Sequence, residues 1–200
     1  MRGDRGYTLI ETMMVVGIIA VIGAIVIPIT DTSLRGSRLR GDAAVIRNLV
    51  GVAKMRASGQ FTRARVYADL GARTYVLQVW DRTNNVWVDD GGLNQLSTGV
   101  NFGFAALNTP PPNTQVNIAQ SPLCTTGLTV AEGTTGNTAC VTFSSRGMPV
   151  SNVLPPGGGV VGNSALYLTD GSSVYGTTVT TTPLIKFWWA GRANAAWVRQ

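Results

Sequence analysis

From Thr12 to Thr30 the chain runs through nineteen residues without a charge, and a single carboxylate, Glu11, stands at the start of that run with Arg2, Asp4 and Arg5 just upstream. At 1.5 Å per residue such a helix rises roughly 28 Å, close to the hydrocarbon thickness of a bilayer. A cleaved secretory signal would have a shorter apolar core followed by a small-x-small site, whereas this run ends in Ile27-Pro28-Ile29-Thr30, so removal after the segment is disfavoured. A plain anchor fits the apolar run but leaves Glu11 unexplained. An ionised carboxylate at the mouth of an apolar helix costs several kcal/mol unless it finds a partner.

The rest of the 200 residues suffices for one domain with its own core. The chain has no histidine, which removes the usual general base and the commonest metal ligand and argues against hydrolase triads and most zinc sites. Neither a catalytic constellation nor a cofactor is expected. Charged residues make up only 13 %, and Gly and Thr accompany short Val and aromatic runs, as in exported β-rich domains. Asp89-Asp90-Gly91-Gly92 lacks the oxygen count of a calcium site and reads as a turn. Pro155-Pro156-Gly157-Gly158-Gly159 lacks the Gly-Lys-Ser/Thr of a phosphate loop and reads as a connection.

Beyond Pro28, whose missing N–H should kink the helix, apolar residues recur at three- and four-residue intervals: Leu39, Ala43, Ile46, Leu49, Val50, Ala53 and Ala57. The intervening positions are largely basic, so this half is amphipathic, and Ser58-Gly59 ends it. The period then changes to two. Strands are expected over residues 63–68, 74–80, 86–88, 139–143, 164–168, 173–179 and 184–189, with turns at Leu70-Gly71-Ala72 and Asn84-Asn85. The Pro-, Thr- and Asn-rich stretch from Leu107 to Thr138 is expected to be a surface loop with little regular structure.

The string Arg5-Gly6-Tyr7-Thr8-Leu9-Ile10-Glu11 ahead of the apolar run resembles the class III signal of type IV prepilins and type II secretion pseudopilins. Tyr7 stands where Phe is usual, and Thr12 where an apolar residue is commoner. The resemblance implies cleavage between Gly6 and Tyr7 by a prepilin peptidase that also N-methylates Tyr7. The new α-amino group, with an ordinary pKa of about 7.7 to 8.0, would lie one turn from Glu11. In that family the glutamate meets the amine of a neighbouring subunit during assembly; pairing within one chain at i, i+4 is the alternative. Gly17, Ala20, Gly23 and Ala24 would allow close helix approach, or are ordinary bilayer composition. The implied location is the inner membrane, spanned once, with the head in the periplasm, and then a pilus or pseudopilus. In an oxidising periplasm Cys124 and Cys140 would form a disulfide worth on the order of 3 kcal/mol; two buried thiols are the alternative.

Val141-Thr142-Phe143-Ser144-Ser145-Arg146-Gly147, Ala165-Leu166-Tyr167-Leu168 and Gly191-Arg192 resemble the GspH/FimT group of minor pilins and pseudopilins. The implied fold is α+β, a long N-terminal helix packed on a β-rich, sandwich-like head. The organisation would be residues 1–6 leader, 7–29 transmembrane or filament-core helix, 30–58 amphipathic helix and 59–200 head. The implied role is a non-enzymatic minor pilin at or near the filament tip that primes assembly with other subunits; a minor pseudopilin of a type II secretion system is the alternative. Some members bind DNA through a Gly-Arg-x-Arg segment. Here that segment reads Gly191-Arg192-Ala193-Asn194, which lacks the second arginine. Arg199 is the nearest substitute, with Arg63 and Arg65 as further cations and Trp188, Trp189 and Trp197 as stacking surfaces. The same tryptophans can equally be core residues and the arginines a solvated face.

Overall fold

The computed structural model describes residues 7–151, 164–191 and 194–200, with the side chains of residues 25–33, 130, 194 and 195 left undescribed. Two compact units are present, Met1–Ser37 and Arg38–Gln200. Helix α1, Leu9–Gly59, contributes to both.

In the first unit the helical residues from Met13 to Ala24 are all apolar or glycine, and their large side chains are exposed: Met14 is 69 % exposed, and Val16, Ile19 and Ile22 are likewise uncovered. A helix apolar all round needs lipid or protein around it. Among the described residues no helix is long and apolar enough to cross a membrane. The described apolar side chains run only to Ala24, and Thr12 to Ala24 rises about 20 Å. The rest of the proposed span, and the side chain of Pro28, fall among the undescribed side chains, while the α1 backbone is helical through Pro28.

In the second unit Leu39, Ala43, Ile46, Val50, Ala53 and Ala57 are all buried, the stripe that a 3.6-residue period dictates. Two antiparallel sheets cover it. The strands are β1 Ala64–Asp69, β2 Thr74–Asp81, β3 Val86–Asp89, β4 Asn94–Gln95, β5 Asn101–Phe102, β6 Cys124–Thr125, β7 Thr134–Thr135, β8 Thr138–Phe143, β9 Ser164–Thr169, β10 Ser173–Val179, β11 Ile185–Gly191 and β12 Asn194–Arg199. The first sheet runs β3-β2-β1-β8 with β4 added to β2, the second β12-β11-β10-β9-β5, and β6 and β7 form a separate pair. Alternate residues of each sheet face the helix: Ala64, Val66, Leu77, Val141 and Phe143 from the first, Leu166, Leu168, Val179 and Phe187 from the second. The architecture is α+β, with the helix stripe and both sheets sharing one core.

Polar contacts fasten the helix as well. Asp42 accepts hydrogen bonds from the Ser97 amide at 2.8 Å and its hydroxyl at 3.0 Å, and Arg56 pairs with Asp90 at 2.8 Å. Asp90 is thus an ion-pair partner, and Asp89 accepts from Gln78. The helix closes in a Schellman arrangement: the Thr62 amide donates to the Ala57 carbonyl and the Phe61 amide to the Ser58 carbonyl. Phe61, at φ 51°, occupies the left-handed position where glycine is usual.

The stretch between Leu107 and Thr138 departs from expectation. It holds β6, β7 and a 3-10 turn, Val130–Glu132, and Ser121, Cys124 and Thr125 are buried. Its first part covers the second sheet's outer face, where Leu107, with Phe104 and Ile118, packs on Ala165, Tyr167, Val174 and Ala190. Gln120 and Ser121 then bond the edge of β9. Gln120 accepts from the Tyr167 amide and donates to its carbonyl, as a peptide group would, and Ser121 does the same for Ala165 through its hydroxyl and amide. At the next residue, the Pro122 carbonyl accepts from the Cys140 amide on β8. The last part covers the first sheet's outer face, with the carbonyls of Thr125, Gly127 and Leu128 accepting from Arg65, Trp87 and Arg63. One connection thereby covers two sheet faces and two strand edges, satisfying backbone groups that would otherwise be open for pairing.

Candidate functional site

At the start of α1, Thr8 is the N-cap residue: its carbonyl accepts from the amides of Glu11 and Thr12. Its hydroxyl also accepts from the Glu11 amide, and the Glu11 carboxylate accepts from the Thr8 amide, both at 3.4 Å. This is the reciprocal capping box of a Thr-x-x-Glu sequence, and it places a carboxylate at the positive end of the helix dipole. Thr12, the polar residue inside the apolar run, donates its hydroxyl to the Leu9 carbonyl at 2.8 Å and so needs no outside partner. Tyr7 is 85 % exposed. Gly6 and the rest of the charged leader lie outside the described residues. The box was legible as a Thr three residues ahead of a Glu before an apolar run, a signal that the charge-pair reading passed over.

Cys124 and Cys140 are joined in a disulfide, Cα to Cα 5.0 Å, and both are buried. The bond ties the connection to β8 where it crosses from one sheet edge to the other.

The described arginines among those singled out for nucleic acid, Arg63, Arg65 and Arg199, differ in exposure, and Arg65 and Arg199 belong to different sheets. Arg65 is 3 % exposed. Its guanidinium donates to Gln78 Oε1 at 2.8 Å and to the Thr125 carbonyl at 2.7 Å, and lies 4.0 Å from the centre of the Trp87 ring. Burial lowers it to about 9, partly offset by Tyr67 and Asp89, which leaves it cationic at neutral pH. A side chain so enclosed is not presented to a phosphate backbone. Arg63 is half-buried and donates to the Leu128 carbonyl; burial lowers it too, opposed by Glu132. Arg199 is exposed at the end of β12, in the other sheet. Arg192 lies outside the described residues. Trp188 is buried and donates to Thr178, and Trp197 donates to the Thr109 carbonyl beside Tyr167, so both are anchored within the head.

Arg63 instead lines a cleft of about 610 Å³ together with Arg82 and Arg146. No group of three or more His, Cys, Asp or Glu is placed to hold a metal among the described residues.

The sequence matches the family model of the prokaryotic N-terminal methylation motif over residues 1–27. That match supports a type IV pilin-like protein, processed by a prepilin peptidase and assembled with other pilin subunits. It covers the N-terminal segment alone. No curated protein and no solved structure matches the chain.

Proposed function

We propose that the chain is a structural, non-enzymatic minor pilin of the GspH/FimT type, cut between Gly6 and Tyr7, N-methylated at Tyr7 and incorporated at or near the tip of a type IV pilus to prime assembly. Before assembly it spans the inner membrane once with its head in the periplasm. The observation that carries the reading is the methylation motif over residues 1–27. Three further features support it. The large side chains from Met13 to Ile22 along α1 are apolar and exposed, as a segment that exchanges lipid for neighbouring subunits requires. Glu11 is held at the helix start, one turn from the amine that cleavage would create. The Cys124–Cys140 disulfide suits an oxidising compartment.

The test is mass spectrometry of the membrane-extracted protein, co-expressed with a prepilin peptidase. The expected terminus is N-methylated Tyr7; an intact Met1, or cleavage beyond Pro28, overturns the reading. Crosslinking to pilus subunits rather than to a secretion apparatus separates the minor pilin from a pseudopilin.

A further inference from the structure

The residues after β8 form a tight turn. The Gly147 amide donates to the Ser144 carbonyl, the Ser144 amide donates to the Met148 carbonyl, and Gly147 takes φ 71°. This is a three-residue loop with a left-handed glycine at its end, and it holds Arg146 out at the tip, exposed. Arg146 lines the cleft with two other arginines that reach it from different elements: Arg63 just before β1 and Arg82 just after β2. The Ser144 hydroxyl accepts from the amides of Arg146 and Met148, which leaves its own O–H to donate. Trp80, Leu128, Met148 and Val150 supply an apolar lining, with Trp80 buried and set edge-on to Trp87.

Three guanidiniums around one cleft repel one another unless something offsets them. Among the described residues no carboxylate lines it. Asp81, next to Arg82 in sequence, accepts from Thr83 and Asn84, and Glu132, which accepts from the amide and hydroxyl of Thr129, offsets part of the Arg63 charge from outside the lining and leaves Arg82 and Arg146 without a carboxylate in the cleft. The arrangement has a cationic rim, a spare hydroxyl donor and a volume in the range of small-ligand pockets. Arginine forks match the oxygens of a phosphate group in pairs.

We propose that this cleft binds a small ligand carrying a multiply charged phosphate-type oxyanion, with Arg63, Arg82 and Arg146 as its cationic contacts and Ser144 as a hydroxyl donor. The site goes beyond the pilin reading and does not depend on it, since binding can be measured without filament assembly.

The experiment is calorimetric titration of inorganic pyrophosphate into the detergent-solubilised full chain, at constant ionic strength set with chloride. Saturable binding is expected, weakened about tenfold in Arg82→Gln and in Arg146→Gln and about a hundredfold in the double variant, the scale of losing charge-assisted hydrogen bonds. Both side chains are exposed, so the variants should fold, which their melting curves verify. Lys186→Gln, on β11 of the other sheet, should bind as the parent does. Absence of saturable heat above the chloride control, or binding unchanged in the double variant, overturns the proposal. Citrate binding as tightly as pyrophosphate would overturn the phosphate assignment.

Discussion

The Thr8 amide and the Glu11 carboxylate are bonded to one another at the head of α1 while the Thr8 hydroxyl receives the Glu11 amide. Glu11 therefore has a local task in the single chain, capping the helix, apart from any pairing with a neighbouring subunit's amine. The two tasks separate chemically because a glutamine can complete a capping box but carries no charge. Glu11→Gln should keep the cap and lose the charge pair, whereas Glu11→Val loses both, the cap being worth about 1 kcal/mol. Both variants should still be cut after Gly6. If charge drives docking, both enter filaments poorly, as read by immunoblot of sheared pili. Parental incorporation of Glu11→Gln would assign the role to the cap.

The disulfide acts where the long connection passes from β9 to β8. Without it, the Gln120 and Ser121 contacts that satisfy the amides of Tyr167 and Ala165 lose their nearest covalent anchor. The bridge closes a separation of 16 residues, so its removal should cost on the order of 3 kcal/mol. In the Cys124→Ser/Cys140→Ser variant, hydrogen exchange should accelerate first at Tyr167 and Ala165 and little along the buried stripe of α1. Uniform acceleration across the head would mean the bridge stabilises the whole fold rather than the crossing.

How much of this was readable beforehand depended on whether order came from periodicity. The α1 stripe at 39, 43, 46, 50, 53 and 57 and the alternation Ala64, Val66, Ala68 declare themselves, because each buried face repeats within one segment. The connection does not. Its residues are ordered by bonds to strands far along the chain, such as the Gln120 side chain standing in for a peptide on β9, and nothing local marks that. Strand β12 was missed because Asn194-Ala195-Ala196 lacks the branched residues that signal a strand and sits on a sheet edge. The arginine cleft draws on residues 63, 82 and 146, which only the sheet topology brings together. Arg63 and Arg65, two apart in sequence, look equivalent as cations; one lines a cleft and the other is enclosed beneath Thr125.

Phe61 offers a stability test. Its left-handed backbone costs an L-residue roughly 1 kcal/mol relative to glycine, and at 72 % exposure its ring has little packing to lose. Phe61→Gly should therefore stabilise the head by about 1 kcal/mol, seen as a higher midpoint in urea with an unchanged slope. A lower midpoint would show that the exposed ring contributes contacts that outweigh the strain.

Alkaline pH should unfold the head through its tyrosines. Burial raises Tyr167 well above the ordinary value of 10.0 and also raises Tyr67, Tyr75 and Tyr175. Below about pH 10 folded and unfolded chains both keep these phenolic protons, so they add no pH dependence. Above it the unfolded chain releases protons that the native state retains, and stability falls as pH climbs through the native values. Arg65 opposes this. Burial lowers its guanidinium to about 9, so from there up to the ordinary guanidinium range the native state has given up a proton that the unfolded chain keeps, and stability gains with pH. One arginine acts over that window against four tyrosines, so a shallow rise between pH 9 and 10 should give way to a net fall. Urea unfolding at stepped pH, with tyrosinate absorbance followed in parallel, checks the sign. Tyr167→Phe removes one of the four and should make the fall shallower. Stability that holds level or increases above pH 10 would mean that the buried phenols ionise in the native state as readily as in the unfolded chain.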